Sequence, residues 1–547
     1  MFSPLRSLLV LGAPLLASFR KGRRVSGGEV HDDDTTILCG GAGDGARGAT
    51  PAPCEKPQAA GHPQTFFSSG KVRAIRQKET RMETRTRTVL IFLVVVAIGF
   101  SLPHEARSQS TNTSETASAK LTCSPAPCVL PPTQASEGGS IVTDTPIVTN
   151  PLNGKELLLG SDDFNCPSLG FHLSRDEGST WTRVECMPAI IIKHRTYVPM
   201  DEPSVGYDLN GTAYIAGIYF FDTYYGTDYG LVAVQKSSDG THWSKPVVAM
   251  RQPGQTFPYM TRLAVDSSAG SRWVNSLYVS GVAVSDQNIK NQVLVSHSSD
   301  GGASWMQVAV DAVQKSPASD TLTRMAVSKD GTVYVTWLRC SSACPTGQIM
   351  LSMSTDGGST WSSPKQITQV TMPLGWELPN TYERVYNYPD IIADNSDGPY
   401  SGNLYVAMYT WTGAYLRVQV ICSTDGGSTW SQPVHLAPKS DTHDQFFPAI
   451  SVSSTGKVGV SWLDRRNDPN DIDYQAFAAI SEDGGQSFGA NWQLTTAFSN
   501  PKTNGTGNNW MGDCTGNTWS GDIFIAAWMD SSNGVDMQEE VGGVRLK

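Results

Sequence analysis

Two arginines stand in the same local setting 62 residues apart, in Thr261-Arg262-Leu-Ala-Val and Thr323-Arg324-Met-Ala-Val. A guanidinium stays charged and presents a fixed fork of donors, so two of them held side by side would grip a carboxylate or phosphate. Repeat ancestry alone would also put them in register. A second stretch, Trp462-Leu-Asp464-Arg465-Arg466-Asn467-Asp468, offers two more guanidinia. These either bind a carboxylate in bidentate fashion or are neutralised by Asp464 and Asp468 beside them. A third, Tyr219-Phe-Phe-Asp222-Thr-Tyr224-Tyr225-Gly-Thr-Asp228-Tyr229, is aromatic and acidic. Its Tyr224 and Tyr225 suit stacking on sugar rings, and equally suit packing between loops. Asp468, Asp471 and Asp473 have the spacing of a fragment of a calcium loop, with too few oxygens to make one. No metal or other cofactor is expected. No Gly-x-Ser-x-Gly elbow, His-Glu-x-x-His or phosphate loop occurs after residue 139, which removes the chemistries those motifs serve.

The elements that must position these groups are repeated. Ser174-Arg-Asp176-Glu-Gly178-Ser-Thr180-Trp181 returns, with small changes, at Ser237–Trp243, Ser298–Trp305, Ser354–Trp361, Ser423–Trp430 and Ser481–Phe488. The closing aromatics lie 56–69 residues apart, the sign of one supersecondary unit copied around an axis. Within a copy, Asp and Ser side chains can bond backbone N–H groups two or three residues on, glycines such as Gly357 and Gly358 supply positive φ, and the aromatic buries a ring against the next unit. A second, independent repeat leads a turn into a buried strand at Gly154, Gly211, Asn275, Gly331, Gly402, Gly456 and Gly521. Seven such turns predict an all-β propeller of seven four-stranded blades. The last blade lacks an outer strand, and Ser140–Thr143 is the expected segment to close it. Ligand-facing loops then emerge on the face opposite the repeated turns.

The repeated turn is very similar to the Asp-box, or BNR repeat, of sialidases and their relatives, over roughly residues 130–547. The resemblance implies that the boxes are structural turns on the face away from any active site. It implies six blades where the turn count gives seven, so six is the alternative if the first or last unit is irregular. It also implies a chemistry: three arginines gripping a substrate carboxylate, a Tyr nucleophile paired with a Glu, and an Asp as acid/base. The family's first arginine lies in a Phe/Tyr-Arg-Ile-Pro motif ahead of the first box. Here the corresponding stretch, Thr145-Pro-Ile-Val-Thr-Asn150, has no arginine. Arg262, Arg324 and Arg465 are then the candidate triad and Glu383 with Tyr386 the candidate catalytic pair. The expected function is a secreted, sialidase-like glycoside hydrolase acting on acidic glycans. The alternative is a non-catalytic propeller that binds a glycan or protein.

The remaining features bear on address and partners. Residues 1–81 are rich in Gly, Arg, Pro and Ser without periodicity, and read as disordered or as an upstream artefact of translation. From Met82 the order is Arg85 and Arg87, an apolar run Val89–Phe100, and Ala106-Arg-Ser108, the layout of a signal peptide over 82–108. The apolar run is short for a membrane span, so the mature chain is expected to have none, with a signal anchor as the rival. Residues 109–138 are Ser/Thr/Pro-rich and read as a linker, leaving 139–547 for the propeller. Residues 1–108 carry a net +6 of the chain's −10, which leaves −16 on the remainder and argues against nucleic acid as a partner. A glycan or cell-surface glycoconjugate is the expected partner, and a monomer the expected state. Of ten cysteines, eight follow residue 108. Export makes Cys123–Cys128, Cys166–Cys186 and Cys340–Cys344 plausible local disulfides, leaving Cys422 and Cys514 for each other.

Overall fold

The computed structural model describes residues 123–221, 229–251, 256–285, 290–342, 344–507 and 509–547. The segments read as an N-terminal extension and signal peptide, and Tyr224 and Tyr225, lie outside the described residues. Seven antiparallel sheets make seven blades. Their innermost strands begin with Val142–Thr143 and Ile147–Asn150 in blade 1. Arg195–Tyr207, Thr256–Val265, Ser319–Val327, Asp390–Ala393, Gln445–Val452 and Gly516–Ser520 follow in blades 2 to 7. The described residues contain one short 3-10 turn, Leu374–Trp376, and no helix long and apolar enough to cross a membrane.

The second strand of every blade is the one that the seven-fold turn repeat leads into, such as Ala213–Phe221 and Val333–Cys340, and these strands are almost wholly buried. They are rich in Val, Ile, Tyr and Trp, the residues that fit a pleated surface packed on both faces. Neighbouring blades share cores. Leu158 and Phe171 of blade 1 pack with Tyr207, Ile215 and Leu231 of blade 2, and the box residue Trp243 lies against them.

Each box is a hairpin turn between the third and fourth strands, built as its residue types require. In the third copy Ser298 Oγ donates to Asp300 Oδ1 (2.8 Å) and accepts the Gly302 N–H (2.9 Å). The same carboxylate accepts the Ser304 N–H and hydroxyl (2.9 and 2.6 Å), and Trp305 Nε1 donates to Gly302 O (3.1 Å). Because strands alternate in direction, these turns lie at the opposite end of the blade from the start of each innermost strand.

The ring closes with a strand that composition hides. Cys128–Gln134, inside the stretch read as linker, is the outermost strand of blade 7 and pairs with Gln538–Arg545. Ser140–Thr143 does not close the ring; Val142–Thr143 pairs instead with Asp162–Asp163 in blade 1. The reason is Pro131-Pro132. Proline cannot donate to a ladder, but on an outermost edge the missing N–H faces nothing, and the register shifts at that point. Leu130 still buries its side chain, to 3 % exposure. Three disulfides form at Cys123–Cys128, Cys166–Cys186 and Cys340–Cys344. Cys422 and Cys514 are both free, which corrects the expectation that they pair. Cys422 stands on the third strand of blade 5 and Cys514 at the start of blade 7, in separate sheets.

One irregularity recurs where innermost strands begin. Asp144, Glu202, Met260, Leu322 and Phe447 all have positive φ, between 49° and 61°. In blades 2, 3, 4 and 6 a β-bulge coincides with this residue, and two positions on stand Ser204, Arg262, Arg324 and Ala449. A left-handed non-glycine residue costs about 1–2 kcal/mol. A bulge re-aims the side chains that follow it, and bulges cluster beside functional sites. The strain is therefore concentrated at one end of the channel, the end away from the boxes.

Candidate functional site

The repeated Thr-Arg pairs meet at that end. Arg262 and Arg324, with Asp390, Asp513, Cys514 and Tyr388, line one small cavity. Thr323, the partner of Arg324 in the repeat, donates its hydroxyl to Met260 O (2.8 Å) and so ties blade 4 to blade 3. The two arginines differ in their surroundings. Arg324 is 4 % exposed, packs over the Tyr388 ring at 3.6 Å, and sits 3.6 Å from Asp390 Oδ1. Burial opposes its charge, but the acidic groups around it hold its pKa above the ordinary value. Arg262 makes no hydrogen bond or ion pair among the described residues. Burial, then the neighbouring Arg324, lowers its pKa. Guanidinium remains charged under such conditions, so Arg262 is a cation facing the cavity with no ion pair to its side chain among the described residues, although Asp390 lines the same cavity.

The approach to blade 5 forms a strap across the mouth. Its backbone bridges Glu377 to Arg384, and Arg384 reaches blade 7 through two bonds to Asp513, Nε to Oδ1 at 3.0 Å and Nη2 to Oδ2. Arg384 also stacks on Tyr386 at 4.5 Å. It is a third arginine beside the cavity, and the sequence reading passed over it. Tyr386 lines the cavity, and its hydroxyl meets Tyr259 of blade 3 at 3.2 Å. Tyr388 donates to Glu202 Oε1 of blade 2 at 3.3 Å. Glu202 is pushed well above the carboxylate range by burial and by Asp201 beside it. A tyrosine–glutamate contact thus exists at the mouth, but between Tyr388 and Glu202.

Glu383 does not meet Tyr386. Residues three apart on an extended strap leave it on opposite sides. Glu383 is 4 % exposed, its Oε2 has no hydrogen-bond partner, and burial raises its pKa to about 7 against the pull of Lys502 and Arg465. Arg465 does not line the cavity. It is fully buried, paired with Asp444 at 3.1 Å, and donates to Pro379 O (2.9 Å) and Thr381 Oγ1 (2.8 Å) of the strap. Its role is to anchor that strap. Arg466 is held by Asp464 at 2.5 Å and Asp441 at 3.2 Å and stacks on Phe477. Asp468 spends both oxygens on the N–H groups of Asn470, Ile472 and Asp473, which makes it a turn rather than a calcium loop. At the position that carries arginine in blades 3 and 4, blade 1 has Pro146.

Residues 193–460 match the family model described as BNR repeat-like domain. None of the curated proteins matches the sequence. Solved structures that resemble the chain include an α-L-arabinanase of Penicillium chrysogenum complexed with arabinobiose, at 11% identity and TM-score 0.44, covering 77% of this chain and 99% of that one. The NanB sialidase of Streptococcus pneumoniae resembles it at 11% identity and TM-score 0.40, covering 61% of this chain and 67% of the other. A protein of unknown function from Dyadobacter fermentans does so at 12% identity and TM-score 0.42, covering 77% and 100%.

Proposed function

We propose that this chain, whose residues 193–460 match a BNR repeat-like domain, is a secreted, sialidase-like glycoside hydrolase acting on acidic glycans. The observation that carries the reading is Arg262, an unpaired guanidinium beside Arg324 in one cavity, where a sugar carboxylate would complete a bidentate contact. Arg384 flanks it through Tyr386. Tyr388 is the nucleophile in this reading, in place of Tyr386. A neutral hydroxyl is not repelled by a substrate carboxylate. As its oxygen bonds to the anomeric carbon the glycosidic bond breaks, and the ionised form of Glu202 takes the phenol proton. The leaving-group oxygen takes a proton from solvent, and water then hydrolyses the tyrosyl–sugar bond. Burial and Glu202 hold the Tyr388 pKa well above its ordinary value, and Arg324 over the ring opposes them.

The test is release of free sugar from a panel of sialylated and uronate-bearing glycans by the purified protein. Turnover that Arg262→Met abolishes supports the proposal. No release across the panel removes the hydrolase reading. The second reading, a non-catalytic glycan-binding propeller, is favoured by the burial of Tyr386 and Tyr388, 3 % and 5 % exposed, and by Pro146 at the blade 1 position. In that case Arg262→Met weakens glycan binding with no rate to lose. Three disulfides accord with an oxidising compartment. Export with cleavage after Ser108 would give a mature chain beginning at Gln109, which N-terminal sequencing of secreted protein reads directly.

A further inference from the structure

On the side of blades 1 and 2, the channel mouth holds a group of buried oxygens, several of them without a hydrogen-bond donor. Asp144, Asp162 and Asp201 each bring a carboxylate oxygen within 4.8 Å of the others. Asp144 and Asp162 are 3 % and 2 % exposed, and Asp144 Oδ2 and Asp162 Oδ1 have no hydrogen-bond partner. The other oxygen of Asp144 accepts the N–H groups of Asp513 and Cys514 at 2.7 and 2.8 Å, which fixes that carboxylate in place. Asp201 Oδ1 accepts the Glu202 N–H at 2.9 Å.

A neutral oxygen adds to the group independently. Thr143 is fully buried and its hydroxyl also lacks a partner. Thr143 lies directly opposite Asp162 in the strand pair, so both side chains leave the sheet on the same face. Buried polar atoms are almost always satisfied, and a cluster of unsatisfied oxygens of one sign calls for a positive partner. Arg384 acts on Asp201 from nearby, but its guanidinium is committed to Asp513. Burial and the two neighbouring carboxyls push Asp162 well above the usual range, as expected of a group missing its counter-charge.

We propose that Asp144, Asp162 and Asp201, with Thr143 Oγ1, bind one hard divalent cation. An all-oxygen donor set excludes the softer metals and selects calcium or magnesium. The ion would tie blade 1 to its neighbour, blade 2, at the channel mouth. It would also hold Asp201 next to Glu202, and through Glu202 position Tyr388.

The experiment titrates chelator-stripped full chain with CaCl2 and, separately, MgCl2 by calorimetry, alongside thermal unfolding. One equivalent of one ion should bind, and the ion bound tells calcium from magnesium. Asp162→Asn should weaken binding at least about tenfold, since affinity follows ligand charge. In chelator the same variant should melt at or above the wild type, because an ionisable group that its acidic neighbours disfavour is gone. In excess of the cation the order should reverse. Thr143→Val, which removes only the neutral donor, should weaken binding without changing the melting point in chelator. The proposal is overturned if the wild type binds neither ion stoichiometrically. It is equally overturned if both variants bind as the wild type does.

Discussion

Replacing Glu383 by glutamine should stabilise the protein at alkaline pH and leave its activity intact. The carboxyl is 4 % exposed with one oxygen unpartnered, and its folded pKa is raised from 4.5 to about 7 by burial. Between those values the folded protein holds a proton that the unfolded chain has released, so stability falls as pH rises through that window. The full interval is worth at most about 3.4 kcal/mol. Screening by nearby solvent and by Lys502 reduces this by about half, to roughly 1.5 kcal/mol. Urea unfolding followed by tryptophan fluorescence at pH 5 and pH 8 measures it. Glu383→Gln should gain about 1.5 kcal/mol over wild type at pH 8 and close to nothing at pH 5. A gain equal at both values, or a loss at pH 8, refutes the burial argument. Loss of turnover in a stably folded variant refutes the separation of Glu383 from Tyr386.

Three further outcomes follow from the same geometry. Arg465→Met leaves Asp444 as an uncompensated buried charge and should cost about 3–5 kcal/mol in denaturant unfolding, whereas Arg262→Met should leave stability nearly unchanged. Ser298→Ala strands the buried Gly302 N–H of one box and should cost about 1–3 kcal/mol, with glycan binding unaltered because the boxes lie at the far end of the blades. Cys514 lines the cavity, and burial with Asp144 beside it raises its thiol pKa well above the ordinary value; its slow alkylation by iodoacetamide at alkaline pH, read by mass spectrometry, should slow further when the acidic sugar is bound, and an unchanged rate would place the ligand elsewhere.

Local patterns carried much of this into the sequence. The boxes are legible because each is closed by side chains within eight residues, and the seven-fold turn repeat counts the blades because its glycines and Asn275 recur at the start of each second strand. Arg262 and Arg324 share a cavity because blade repetition places equivalent residues at equivalent heights. What stayed hidden depends on contacts distant in sequence. The Tyr388–Glu202 contact spans 186 residues and crosses the channel, so no spacing rule reaches it. Arg465 looked like a ligand-binding group because its neutralising partner is Asp444, on another strand, and not the adjacent Asp464 or Asp468. Arg384 became part of the mouth only through Asp513. The closing strand was obscured by Pro131-Pro132, which reads as linker composition but is tolerated on a blade's outer edge.

In the proposed function, the arginine-lined cavity is where an acidic sugar is held. A crystal structure of the protein soaked with N-acetylneuraminic acid or glucuronic acid tests that directly. The account predicts the sugar carboxylate within hydrogen-bonding distance of Arg262, with the ring facing Tyr388. Sugar bound on the face of the boxes, with the cavity between blades 3 and 7 unoccupied, would contradict it.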